Sequence, residues 1–236
     1  MSKPRAQMLL AVACAASTFA AGCGGGDDRG NSQALCRETE QALTGQQGPR
    51  LLVSAQLLAR LRERATAQDP DWLALRAQCD GWAAAAVNPP SGPAYGSGAT
   101  VASGYQGDGY LDPVLSLGLC YRTVAGTDAG AATKYAPAGA KVLDAVSTPE
   151  SQGGAKPSTD HGYGIRNYGV GMALGYDWLK PGLAAATKQR VVAALDNWIG
   201  WYDVGGFTKN HPIANYFVGY LLAKTFAGLA VEGDDP

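Results

Sequence analysis

From Asn31 onward apolar residues recur every three or four positions and almost never alternate, a pattern that predicts helices and essentially no strand. The stretch NSQALCRETEQAL predicts a short first helix capped by Asn31 or Ser32. Two more come from GPRLLVSAQLLARLRERATAQDPDWLALRAQCDGWAAAA. Ser54 caps the first of these, whose Leu57, Leu58, Leu61 and Ala65 share a face. Asp69-Pro70 opens the second, with proline in the first turn, where its missing N–H has no intrahelical partner to lose. Five further helices are expected at about Tyr110 to Ala125, Ala129 to Ser147, Asn167 to Leu179, Leu183 to Asp203 and Pro212 to Val231. A Gly-, Pro- and Ser-rich excursion from Val87 to Gly109 and a polar loop, TPESQGGAKPSTDHGYGIRN, interrupt them. A loop as long as the first in a compact domain is usually functional or mobile.

The last three helices differ in a way that bears on architecture. In the middle one Val191, Val192, Leu195, Trp198, Ile199 and Tyr202 line one side, opposite Lys188, Gln189, Asp196 and Asn197. It therefore has one wet face. Its neighbours are apolar nearly all round and need protein on every side. One-sided and all-buried helices in alternation predict an all-α fold of antiparallel helical hairpins in two concentric layers.

The first 23 residues add a destination. Lys3 and Arg5 precede an apolar run from Met8 to Ala21, the length of a signal h-region and too short to span a bilayer comfortably. Ala20-Ala21-Gly22-Cys23 resembles a bacterial lipobox, which implies a lipidated Cys23 as first mature residue and a membrane anchor; ordinary cleavage near Ala21 is the alternative. GGGDDRGNSQ then reads as a tether. Residues 1–22 are thus expected to be the signal peptide, 23–33 the lipidated cysteine and flexible tether, and 34–236 the helical domain. The expected location is the bacterial cell envelope, on an outer-membrane or periplasm-facing lipoprotein. In that oxidising compartment Cys36, Cys79 and Cys120 remain. Cys36 and Cys79 both lie on predicted helices near the N-terminal end and are expected to pair, whereas Cys120, in an apolar run, is expected as a buried thiol. The net charge of −1 over 236 residues offers no footprint for nucleic acid. The aromatics are mostly Tyr and Trp, which suit either a cleft that stacks sugars or tight helix packing.

The phrases GPRLLVSAQLLARLRERATAQDPDWLAL and GMALGYDWLKPGLAAATKQRVVAALDNWIGWY resemble the opening and a later hairpin of the α/α-toroid polysaccharide lyases, heparinase II/III-like and alginate-lyase-like. The resemblance covers about half of the mature chain and rests on packing motifs. It implies a partial (α/α) toroid over residues 34–236. A full toroid of that kind has roughly a dozen helices, and the chain supplies eight, ending in AVEGDDP as though a loop led onward. The expectation is an incomplete toroid from a longer enzyme, with apolar inner helices left uncovered at its C-terminal side.

The family also carries an Asn-His pair at the substrate-facing end of an inner helix, and Asn210-His211 stands where that pair is expected. Beyond it the family continues with small residues and an aromatic, where this chain has Pro212-Ile213-Ala214-Asn215-Tyr216. The implied chemistry is β-elimination at a uronic acid. Asn210 would neutralise the carboxylate beside the C5 proton, and His211 would act as general base or as a partner in charge stabilisation. KNHPIANYF is equally a good helix start with no chemistry, Asn210 serving as the cap. A second constellation, DHGYGIRNYG, gathers His161, Tyr163, Arg166, Asn167 and Tyr168 before an inner-type helix. Arg166 could hold a carboxylate bidentately, and Tyr163 or Tyr168 could stack on a sugar or transfer a proton. Tyr168 joins Asn210 and His211 as a catalytic candidate; His161, Tyr163, Arg166, Asn167, Asn215 and Tyr216 are the substrate-binding candidates. The plain alternative is a polar loop with Asn167 capping the helix that follows. Asp160-His161 is too little for a metal site, and no metal or cofactor is assigned. Nucleotide and nucleophilic-hydrolase motifs are missing from the sequence.

The leading expectation is a secreted lipoprotein with a polysaccharide-lyase-like helical domain acting on acidic polysaccharide, inactive alone if the chain is a fragment. A noncatalytic lipoprotein binding glycan or protein is the second reading. A glycoside hydrolase is the third; it needs two carboxylic acids across a cleft, drawn from Asp112, Asp160, Asp177 and Asp203.

Overall fold

A computed structural model describes residues 51–85, 107–149, 155–160, 162, 164–205, 215–232 and 234. The expected signal, Cys23, the tether, the helix at 31–43 and Cys36 lie outside the described residues, as do His161, Tyr163, Asn210 and His211. Among the described residues the fold is all-α, with seven helices and no strand. They are α1 (Ala55–Thr66), α2 (Pro70–Ala84), α3 (Asp108–Val124), α4 (Ala129–Ser147), α5 (Val170–Leu179, entered through a π-helical turn at Ile165–Gly169), α6 (Ala185–Val204) and α7 (Asn215–Val231).

Side-chain caps set the starts of α1, α2 and α4. The Ser54 hydroxyl accepts from Leu57 N–H at 3.1 Å to open α1, and the Asp69 carboxylate accepts from Asp71 N–H at 2.9 Å ahead of Pro70. Asp128 does the same for α4 through Ala131 N–H at 2.9 Å. Just before α1, Leu51 and Val53 are buried while Leu52 points outward with a positive φ of 59°. This left-handed kink, strained for leucine by about 1 kcal/mol, puts Leu51 against α5. There its N–H donates to the Asp177 carboxylate at 2.9 Å and its carbonyl accepts from the Trp178 indole at 2.8 Å. Leu51 of the first phrase and Asp177-Trp178 of the second therefore meet in space as a structural clasp.

The helices pack in a regular order. α3 lies between α1 and α5, and α5 continues to α7; α2, α4 and α6 form a second run, each packed on members of the first. Every residue of α5 is buried, Asp177 included, as a sequence apolar nearly all round predicts, and α6 buries Val191, Leu195, Trp198 and Tyr202 while Gln189, Asp196 and Asn197 stay exposed. Glycine makes the tight approach to α5 possible: a methyl on Gly175 would overlap Val114 of α3 and press on Leu143 of α4. α7 departs from the all-buried expectation, for Val218 is 62% exposed and Leu221 and Leu222 are about two-fifths exposed.

The cysteine pairing differs from the expected one. Cys79 of α2 is bonded to Cys120 of α3, with Cα atoms 6.6 Å apart and both residues wholly buried. Cys36 is therefore not its partner, and Cys120 is not a thiol. The reason is packing: α2 lies directly on α3, and both cysteines occupy the apolar seam between them.

Four buried tyrosines each reach out of the core to an aspartate far along the chain. Tyr135 donates to Asp80 (2.7 Å), Tyr176 to Asp234 (2.8 Å), Tyr202 to Asp160 (2.6 Å) and Tyr220 to Asp203. The ring supplies apolar area and the hydroxyl keeps a partner, which is how a phenol is buried at low cost.

Candidate functional site

The candidate site is built where α5 begins. Asp160, only 5% exposed, accepts hydrogen bonds from Gly164 N–H at 2.7 Å, Ile165 N–H at 2.8 Å and the Tyr202 hydroxyl at 2.6 Å. Its carboxylate satisfies the first free amides of the helical run and ties that run to α6. The helix accordingly starts at Gly164, with the backbone looping through a π-turn at Ile165–Gly169 before regular α-helix resumes at Val170. Asn167 lies inside that turn and does not cap the helix.

The π-turn sets Arg166 and Asn167 half-buried while burying Ile165 and Tyr168. Three glycines let neighbours close on it. A methyl on Gly107, whose φ is +89°, would come within 2.8 Å of Asn167 Cβ and 3.1 Å of the Tyr168 ring. One on Gly162 (φ +93°) would meet the Tyr216 ring at 2.9 Å, and one on Gly219 would overlap the Arg166 stem. The start of α3, the π-turn, Gly162 and the first turns of α7 thus share one rim. It brings Arg166, Asn167 and Tyr216 together from the sequence candidates. Asn215 is exposed as the first residue of α7. Gly162 sits between His161 and Tyr163 in sequence, and Tyr216 follows His211 by five residues.

Tyr168 is corrected. It is 1% exposed, with its ring 5.5 Å from Trp198 and 6.1 Å from Tyr110 by centroids. The extra residue of the π-turn rotates it off the rim and into the core, so it has no face for a sugar. The small cleft behind the rim, lined by Tyr110, Val142, Leu143, Asn167, Tyr168 and Met172 among others, has a cavity volume of only about 10 Å³. Ligand pockets usually start near 300 Å³. A ligand of this rim would therefore lie across it.

The electrostatics leave Tyr110 and Tyr202 protonated at neutral pH. Burial pushes Tyr110 well above the ordinary phenol value, and burial together with the Asp160 carboxylate does the same for Tyr202. Asp160 has its oxygens on two amides and a phenol, Asp177 holds Leu51 N–H, and Asp203 is paired with Lys224 and Tyr220. Asp160 and Asp177 thus serve as buried internal ties, and Asp203 as a half-exposed tie between α6 and α7. The glycine notches and the Asp160 bolt were missed by the sequence reading. The glycines of DHGYGIRNYG are a partial signal only: Gly162 and Gly169 lie where α7 comes close, Gly164 meets the Asp160 carboxylate instead, and nothing in the sequence marks Gly107 or Gly219. Neither a protein-family model nor a curated protein matches the chain.

Proposed function

We propose that this chain is an acidic-polysaccharide domain of the uronate-lyase kind, built as part of an (α/α) toroid of antiparallel hairpins. Its ligand lies across the rim of Arg166, Asn167 and Tyr216. The observation that carries the reading is the π-turn, which holds a guanidinium and an amide at the N-terminal end of α5, beside the start of α7. Such turns recur at functional sites. Arg166 offers a planar fork, so the rim suits the carboxylate of a uronic acid; the first amides of the α5 run are already taken by Asp160. The toroid is supported by the two runs of helices, odd-numbered packed on odd and even on even.

In the proposed reaction His211 removes the C5 proton, and the C–H electrons form the C4–C5 double bond as the C4–O bond breaks. Asn210 hydrogen-bonds the adjacent carboxylate so that charge building on C5 is tolerated. The departing oxygen takes a proton from Tyr163, since Tyr168 lies in the core. His161 completes the substrate side. Export and anchoring through a lipidated Cys23 would place this chemistry at the cell envelope.

The test is to incubate the protein with alginate and heparinoid panels and follow the ultraviolet absorbance of unsaturated uronate ends. Product should form, and His211→Ala should slow it by at least about 100-fold, as loss of a general base does. Saturable binding without product would favour the noncatalytic glycan-binding reading, to which the burial of Tyr168 lends weight. Neither binding nor product would overturn both.

A further inference from the structure

Arg166 does not stand straight out of its own turn; its stem crosses α7. A methyl group on Gly219 would overlap Arg166 Cγ and lie 2.7 Å from Cδ, so the aliphatic stem rests on bare glycine backbone. Gly219 is buried in the second turn of α7 and shares a helical face with Tyr216, three residues earlier, which packs on Gly162. Glycine is the poorest helix former after proline, so its presence inside α7 calls for a compensating gain, and room for the Arg166 stem is the one visible there. We propose that Gly219 is a positioning residue: its bare backbone forms the notch that seats the Arg166 stem and so fixes where the guanidinium meets a ligand carboxylate. Selection of an acidic sugar is then set jointly by α5 and α7. This rests on the polyuronate reading of the rim for its ligand, but the seating itself is tested without one.

The first arm is a double-mutant cycle read by thermal melting. Gly219→Ala should lower Tm by several degrees in the wild-type background, because the methyl displaces the stem. In the Arg166→Ala background the same change should be neutral or should raise Tm, since alanine is the better helix former once the space is empty. Equal instability of Gly219→Ala with and without the arginine stem would overturn the seating. The second arm measures retardation in gels containing alginate or neutral dextran. Arg166→Lys keeps a long aliphatic stem but loses the planar fork, so it should melt within about 2 °C of wild type and yet bind alginate at least about tenfold more weakly. Gly219→Ala should lose alginate affinity similarly, and neither variant should alter behaviour on dextran. Wild-type alginate selectivity retained by both variants would sink the positioning role. Wild type held no more strongly by alginate than by dextran, with the melting cycle as expected, would sink the polyuronate reading and Arg166's part in it while leaving the seating established.

Discussion

Asp160 illustrates how a residue can look catalytic in sequence and be structural in the fold. It precedes a histidine and a tyrosine in a glycine-rich loop, yet its carboxylate is spent on two backbone amides and the Tyr202 phenol. Hydrogen bonds to a charged group are worth about 1.5–3 kcal/mol each, and a buried donor left unpaired costs more than the bond it lost. Asp160→Asn turns one acceptor into a donor facing those amides or the phenol, and should destabilise the domain by about 3 kcal/mol. Tyr202→Phe removes a single donor and should cost about 1–2 kcal/mol. Urea unfolding of the two variants measures both. If Asp160→Asn left stability untouched while weakening glycan binding, Asp160 would belong to the ligand site and the bolt would be wrong.

Between elements, the seam of α2 and α3 is closed by the Cys79–Cys120 bond, which spans 41 residues of sequence. On loop-entropy reasoning such a cross-link is worth about 4 kcal/mol, so Cys120→Ser should lose stability of that order, and Cys36→Ser should leave the bond intact. Nonreducing peptide mapping and urea unfolding check the two statements; a Cys36–Cys79 peptide would restore the pairing expected from sequence. That pairing was not legible because it depends on which helices lie side by side, and periodicity speaks only of faces. What periodicity and capping did convey was local: the Ser54 and Asp69-Pro70 starts, α4 at Ala129–Ser147, the wet face of α6 and the full burial of α5. The start of α5 escaped because Asp160 acts on amides four and five residues ahead, farther than an ordinary cap reaches. The placing of Tyr168 escaped for a related reason: a π-turn inserts an extra residue and shifts every side chain after it relative to a 3.6-residue repeat. Arg166 and Asn167 were legible as candidates, but the glycines that seat their neighbours were not, since closeness between helices leaves no mark in a single sequence.

Across the whole molecule the tyrosines change meaning. Abundant Tyr and Trp are compatible with a sugar-stacking cleft, but Tyr110, Tyr135, Tyr176, Tyr202 and Tyr220 are all buried, and the last four donate to aspartates. Burial first, and the neighbouring carboxylate second in those four, raises each phenol above its ordinary value, Tyr135 to about 12 and the others upward as well. A folded-state pKa above the unfolded one means stability that is complete below pH 10 and is lost as pH climbs toward the folded value. There the unfolded chain has released protons that the native state still holds, and each such phenol removes about 1.4 kcal/mol per pH unit. With five acting together, the domain should unfold cooperatively on the alkaline side, by an amount the surface ion pairs, worth about 0–1 kcal/mol each, cannot offset. Phenolate absorbance followed against helical circular dichroism between pH 9 and about 12 tests this. Of the 11 tyrosines in the chain, at least these five should ionise only as helicity collapses, and Tyr202→Phe should make the alkaline limb shallower. All 11 titrating together near pH 10 with helicity intact would show that these phenols are open to solvent, and the aspartates would then not be what holds them in place.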